Sequence, residues 1–133
     1  MADGSIAVFN RDPATGALTF VEAMLELGTG GVGLSWAWDI GISPDDRAVL
    51  AAGWNALSVF ARDPATGLLT LEESSFGGDA DIPDFGFPDG LLIGPDNADV
   101  YLGCDGAIQV FSWRLQCDGF ETGDTSAWSS TVP

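Results

Sequence analysis

Short apolar runs, each closed by Gly, Pro, Asp or Asn, follow one another along most of this chain. ALTFVE (17–22) and LLTLEE (68–73) alternate in the two-residue period of a strand. DIGISP (39–44) and GLLIGP (90–95) are shorter and end at a Pro-Asp turn. RAVLAAG (47–53) and ADVYLG (98–103) come next, then LSVFAR (57–62) and IQVFSW (108–113). No stretch carries a 3.6-residue apolar stripe with helix caps, so the pattern predicts antiparallel strands joined by tight turns. The strands are apolar on both sides: Ile6 and Val8 point one way, Ala7 and Phe9 the other. A sheet with one wet face alternates more cleanly, so these sheets are expected to be covered on both faces.

The runs also repeat. VFNRDPATG (8–16) returns as VFARDPATG (59–67), 51 positions later, and the same shift aligns the chain without a gap. Ile6, Val8 and Phe9 fall on Leu57, Val59 and Phe60, then on Ile108, Val110 and Phe111. Leu18-Thr19 falls on Leu69-Thr70, and Pro44-Asp45 on Pro95-Asp96. Four strands in a period of about 50 residues, each sheet covered on both faces, describe the blade of a β-propeller. A β-sandwich is the rival architecture, and it does not account for an ungapped repeat.

The expected fold is therefore all-β, a partial β-propeller of four-stranded antiparallel blades with a 51-residue repeat. With strands lettered A to D from the axis outward, residues 1–116 read C-D, A-B-C-D, A-B-C, and residues 117–133 form a polar C-terminal tail. Within VFxRDPATG, Asp-Pro starts a reverse turn and Gly supplies a left-handed backbone position before strand D. Arg11 and Arg62 are expected to satisfy nearby carboxylates or carbonyls, so the phrase is a turn rather than a catalytic signature.

ISPDDRAVLAAG (42–53), LSVFARDPATGLLTLEE (57–73) and IAVFNRDPATGALTFVE (6–22) resemble the repeat of lactonase-type seven-bladed propellers, the family of bacterial 6-phosphogluconolactonase. A second copy, GPDNADVYLG (94–103), has drifted from the SPD pattern. The resemblance implies hydrolysis of a sugar lactone in a pocket at the propeller axis. It also implies seven blades of about 51 residues, about 360 in all, of which this chain supplies fewer than three. It places no catalytic residue on this sequence. DGFETGDTSAW, near the end, resembles a short tail recurring on exported bacterial proteins. That likeness implies an extracellular or periplasmic location, with residue 133 as a natural end and further blades upstream. The first residues, MADGSIAVFN, have neither the basic nor the long apolar region of a signal peptide.

Composition narrows the chemistry. The 133 residues are 46% apolar with a mean hydropathy of +0.20, enough for a packed core despite the charge. Twenty acidic residues face four Arg, with neither Lys nor His, for a net charge of −16. Such a surface repels nucleic acid and anionic membranes, so neither is an expected partner. The absence of His and Lys removes Ser-His and Cys-His pairs, the usual zinc sites and Schiff-base chemistry. Carboxylate acid–base work and a carboxylate-held Ca²⁺ or Mg²⁺ remain. Cys104 and Cys117 flank a predicted strand whose extended length, about 30 Å, argues against a disulfide.

Alternate blade connections share a face of the disc. The B–C and D–A connections then gather Trp54, Asn55 and Asp105 with segments 23–38 and 74–89 as a candidate ligand face. Asp39 and Asp89, near the starts of inner strands, are expected to face the axial channel as ligand-contacting groups. Asp79, Asp81 and Asp84 lie in SFGGDADIPDFGFPDG and are the candidate Ca²⁺ ligands, or alternatively a solvated acidic loop. Trp36, Trp38 and Trp54 are expected to fill wedges between blades, with a sugar-stacking platform as the alternative. The expected partners are the remaining propeller blades or further copies of the chain, and a sugar or protein ligand. The chain reads as a binding or structural blade module. Its alternative is a sugar-lactone hydrolase formed when the propeller is complete.

Overall fold

The computed structural model describes residues 4–26, 33–79 and 82–112. Nine strands run in chain order: β1 (Ser5–Arg11), β2 (Leu18–Leu25), β3 (Asp39–Ile42), β4 (Ala48–Gly53), β5 (Ala56–Arg62), β6 (Leu69–Phe76), β7 (Pro88–Ile93), β8 (Asp99–Cys104) and β9 (Ala107–Ser112). They form antiparallel sheets of two, four and three strands, ordered β1-β2, β3-β4-β5-β6 and β7-β8-β9. The architecture is that of partial β-propeller blades: C-D, A-B-C-D and A-B-C, as the repeat predicts. The outer strands β2 and β6 run on to Leu25 and Phe76, beyond the apolar stretches that mark them in sequence.

The blades pack face to face. One core cluster joins Leu50 and Leu57 of the middle blade to Phe85, Val100 and Leu102 of the third. A second joins Ile6 of the first blade and Leu34 to Val49, Phe60 and Leu69 of the middle one. All six residues of β4 are buried, because β4 alternates its side chains between these two clusters. The inner strands approach closely, and a Cβ at Gly41 would lie 3.2 Å from Ile93 Cδ1. Two carboxylates tie blade to blade: Glu22 Oε1 accepts the Leu69 N–H at 2.6 Å, and Asp39 Oδ2 accepts the Leu91 N–H at 2.8 Å.

The repeat extends to irregularities. A β-bulge falls between Val8 and Phe9 in the first blade and between Val59 and Phe60 in the second. Each leaves one residue of the outer strand unpaired, Val21 and Glu72, which bends that strand and re-aims the side chains beyond it.

The two RDPATG turns are superposable in their bonding. Asp12 Oδ1 accepts the N–H groups of Ala14 (2.8 Å) and Thr15 (3.0 Å), and Asp63 Oδ1 those of Ala65 (2.8 Å) and Thr66 (3.3 Å). Gly16 and Gly67 close them at φ of 77° and 79°, a left-handed geometry that favours glycine. Arg62 pairs with Asp46 Oδ2 at 2.8 Å and also donates to its carbonyl at 3.0 Å. This joins the C–D and A–B turns on one face of the disc. In the A–B turn the buried Ser43 hydroxyl donates to Asp45 Oδ1 (2.6 Å) and accepts the Ala48 N–H (2.9 Å). The drifted third-blade turn keeps the backbone path, with Asn97 at φ 56° where Asp46 has 64°.

The tryptophans depart from expectation. Trp36, Trp38 and Trp54 are all more than half exposed, and the blade wedges are filled by Leu34 (0% exposed) and Phe85 (3%) instead. These two residues stand 51 apart on the segments leading into strand A. The large indoles sit on corner turns, Trp36 at φ 53° and Trp54 beside Asn55 at φ 51°, which direct them off the sheets. The tail, 117–133, and Cys117 lie outside the described residues. Cys104 is a free, buried thiol whose pKa is raised by burial and then by the charges of Asp105 and Asp89.

The turn carboxylates set an acid limit on stability. Backbone donors, Thr15 then Ala14 for Asp12, and Ala65 then Thr66 for Asp63, hold both pKa values below the ordinary value, and the Ser43 hydroxyl does so for Asp45. A depressed folded pKa contributes stability that is present above the unfolded value and lost as pH falls through the folded one. Stability should therefore decline below about pH 4. In Asp12→Asn/Asp63→Asn the side-chain oxygen remains but cannot titrate, and urea midpoints should fall less steeply with acid. An unchanged slope would remove these two groups from the account.

Candidate functional site

On the opposite face, the B–C corners Trp54-Asn55 and Asp105-Gly106 stand beside the connection that leads from β6 to β7. Asn55 organises the corner. Its Oδ1 accepts the N–H groups of Phe85 (2.8 Å) and Gly86 (3.2 Å), and its Nδ2 donates to the Gly77 carbonyl and Asp84 Oδ1, both at 3.0 Å. Its backbone N–H donates to the Gly86 carbonyl at 2.7 Å, and its carbonyl accepts from Gly77 at 2.9 Å. One side chain thus fixes both ends of the connection.

That clamp places Phe87 between two indoles. Its ring lies 6.4 Å from Trp36, perpendicular to it, and 6.4 Å from Trp54, tilted by 33°. The three rings remain about half exposed and form an aromatic corner. Asp105 borders it: a Cβ on Gly86 would lie 2.8 Å from Asp105 Oδ2. Stacked against an acidic rim, such rings offer apolar contact to a sugar face or to a ligand cation.

The sequence candidates divide by what their side chains do. Trp54 and Asp105 stand at the aromatic corner with their functional groups available to a ligand. Asn55 lies beneath it and is committed to backbone groups. Asp39 accepts from Ile40 (2.8 Å) and Leu91 (2.8 Å), binding inner strand to inner strand. Asp89 sits at the irregularity between Pro88 and Gly90 in β7, near enough to Cys104 to raise its pKa. Asp84 receives the Asn55 amide, Asp79 lies in the turn after β6, and Asp81 lies outside the described residues. Among the described residues no three His, Cys, Asp or Glu side chains converge as a metal-binding group. Phe87 is the site residue that sequence reasoning missed. The 51-residue shift carries Trp36 onto it, and that equivalence was the available signal.

No protein-family model matches the sequence, and no curated protein matches it. Solved structures share the fold. A candidate 6-phosphogluconolactonase from Bacteroides fragilis matches at 22% identity and a TM-score of 0.64, over 82% of this chain and 29% of that one. A second, from Bacteroides uniformis, matches at 23% identity and TM-score 0.64, over 82% and 30%. A protein from Lactobacillus plantarum matches at 19% identity and TM-score 0.63, over 82% and 31%. These likenesses define the fold, a partial β-propeller, and this chain spans about three tenths of the length of those structures.

The Asn55 clamp has a measurable worth. In Asn55→Gly the left-handed backbone is kept while the side chain is lost, leaving the Phe85 and Gly86 N–H groups without their acceptor. The expected cost is about 1–3 kcal/mol in denaturant unfolding, with faster amide exchange at both residues. Unaltered exchange at Phe85 and Gly86 would show that the clamp does not hold the connection.

Proposed function

We propose that this chain is a blade module of a lactonase-like β-propeller, a binding and structural unit that is not catalytic by itself. The observation that carries the reading is the chemistry of its outward blade faces. Phe9, 48% exposed on the first blade, is the repeat equivalent of Phe60, which is 0% exposed between blades. Ile108, 72% exposed on the third blade, is likewise the equivalent of Leu57, at 4%. Each such side chain contributes about 1.5–3 kcal/mol when buried, so both ends favour a further blade. The ligand reading assigns Trp54 and Asp105 contact with a sugar or protein ligand at the aromatic corner, with Asp39 and Asp89 toward the axis. Hydrolysis of a sugar lactone by a complete propeller is the second reading, favoured by the names of the two Bacteroides neighbours. Ca²⁺ at Asp79, Asp81 and Asp84 belongs to the same proposal.

The purified chain should release no gluconate from gluconolactone above the buffer rate, with or without Ca²⁺. A protein-dependent rate that scales with chain concentration would overturn the non-catalytic reading. In sedimentation the wild-type chain should self-associate through its end faces, and Phe9→Ser/Ile108→Ser should shift it toward monomer. A folded wild-type monomer at high concentration would sink the blade-face argument.

A further inference from the structure

Backbone strain gathers at the aromatic corner. Of the five non-glycine residues at positive φ among the described residues, three stand here: Trp36 (53°), Asn55 (51°) and Asp105 (44°). Asn and Asp tolerate the left-handed region at corners, and the other two, Asp46 and Asn97, are of that kind. Trp36 is the exception, because a bulky side chain crowds the backbone there. What the strained turn achieves is placement. Its indole stands perpendicular to the Phe87 ring with centroids 6.4 Å apart, and Trp54 lies at the same distance from Phe87.

The side-chain charge left at this corner is of one sign. Asn55 could read hydroxyl groups in both directions, but its amide is already committed. The oxygen takes the Phe85 and Gly86 N–H groups, and the nitrogen serves Gly77 and Asp84. Asp105 is exposed, and its carboxylate enters none of the hydrogen bonds or the ion pair found among the described residues. It is held beside Gly86, where a Cβ would come within 2.8 Å of its Oδ2, and Phe87 is the next residue. The described arginines, Arg11, Arg47 and Arg62, stand at the C–D and A–B turns of the other face, so none of them supplies a cation here.

We propose that this corner binds an alkylated ammonium ion of the choline type, held against Trp36, Phe87 and Trp54 with Asp105 as its counter-charge. The inference rests on the reading of this corner as a ligand site and names what the site takes. Ring faces carry the negative part of the aromatic quadrupole and attract a cation, more strongly where water is displaced. A fully methylated nitrogen has no N–H to satisfy, so rings can surround it without leaving a donor unpaired. A neutral sugar needs donors and acceptors for several hydroxyls, and the amide that could supply both is spent on the backbone and Asp84. The net charge of −16 draws any cation toward this surface.

The test is titration of the full chain, followed through the indole N–H signals of Trp36 and Trp54 and the amide signal of Gly86 in NMR spectra. The probes are choline, its neutral analogue with carbon in place of the quaternary nitrogen, methyl glucoside and potassium ion. Choline should shift these signals saturably and bind about tenfold more tightly than the neutral analogue. Trp54→Ala should weaken choline binding about tenfold, and Trp54→Phe, which keeps a ring, should retain most of it. Asp105→Asn, which keeps the corner geometry, should weaken it about threefold. Trp38→Ala removes an indole outside the trio, 67% exposed, and should change nothing. Equal binding of choline and the neutral analogue overturns the proposal, as do shifts that potassium ion reproduces. If the glucoside binds at these signals and choline does not, the cation assignment falls and the ligand site stands. If no probe binds, the sugar reading of the corner falls with it.

Discussion

Burial of both faces of each sheet is the constraint on which the rest of this structure depends. A four-stranded sheet made of Val, Leu, Ala and Phe on both sides has no face to give to water. Stability therefore comes from the neighbouring blade rather than from within the sheet. The middle blade has a neighbour on each side, and its strand β4 is buried along its whole length. The first and third blades have one neighbour each, and the same repeat positions that are inaccessible in the middle blade are open in them.

The acidic composition takes on a structural meaning within this frame. Asp12, Asp63, Asp45 and Asp96 accept backbone N–H groups inside turns. Glu22 and Asp39 accept them across blade junctions, and Glu26 accepts that of Leu34. A propeller has many corners and few helices, so it has many N–H groups outside regular ladders. Carboxylates on short side chains satisfy them where a neighbouring backbone carbonyl does not reach. Part of the excess negative charge is thus a consequence of making tight connections between sheets, and at Asp12 and Asp63 those donors lower the carboxylate pKa.

The blade order, the turns and the faces were legible because the sequence states them more than once. VFxRDPATG marks the C–D corner twice, and the pattern of Ile6, Val8 and Phe9 occurs three times. The bulges were not legible, since a bulge depends on pairing register and Val21 and Glu72 share no chemistry. Side-chain size is a poor guide to the wedges, because the tryptophans sit on exposed corners. Leu34 and Phe85, smaller but repeat-equivalent, occupy the space. Asn55 illustrates a different limit: its position at a corner is readable, but its four side-chain bonds reach residues 22 to 31 positions away.

The candidate site lies where the repeat fails. Trp54 and Asn55 in one blade face Asp105 and Gly106 in the next, and Asp39 and Gly90 share a position, as do Trp38 and Asp89. A position that must fill the same space in every blade is constrained by its neighbours, as Phe60 and Phe111 are. A corner position touches solvent on one side and carries no such obligation, so it can differ from blade to blade without cost to the sheets. The connection from β6 to β7 is clamped by Asn55 in addition to its own turn bonds, which leaves Phe87 and the two indoles presented at the corner. Scaffold and candidate site therefore fall on different residues under the same 51-residue shift: agreement builds the blade, and departure from agreement marks the corner where we propose that a ligand binds.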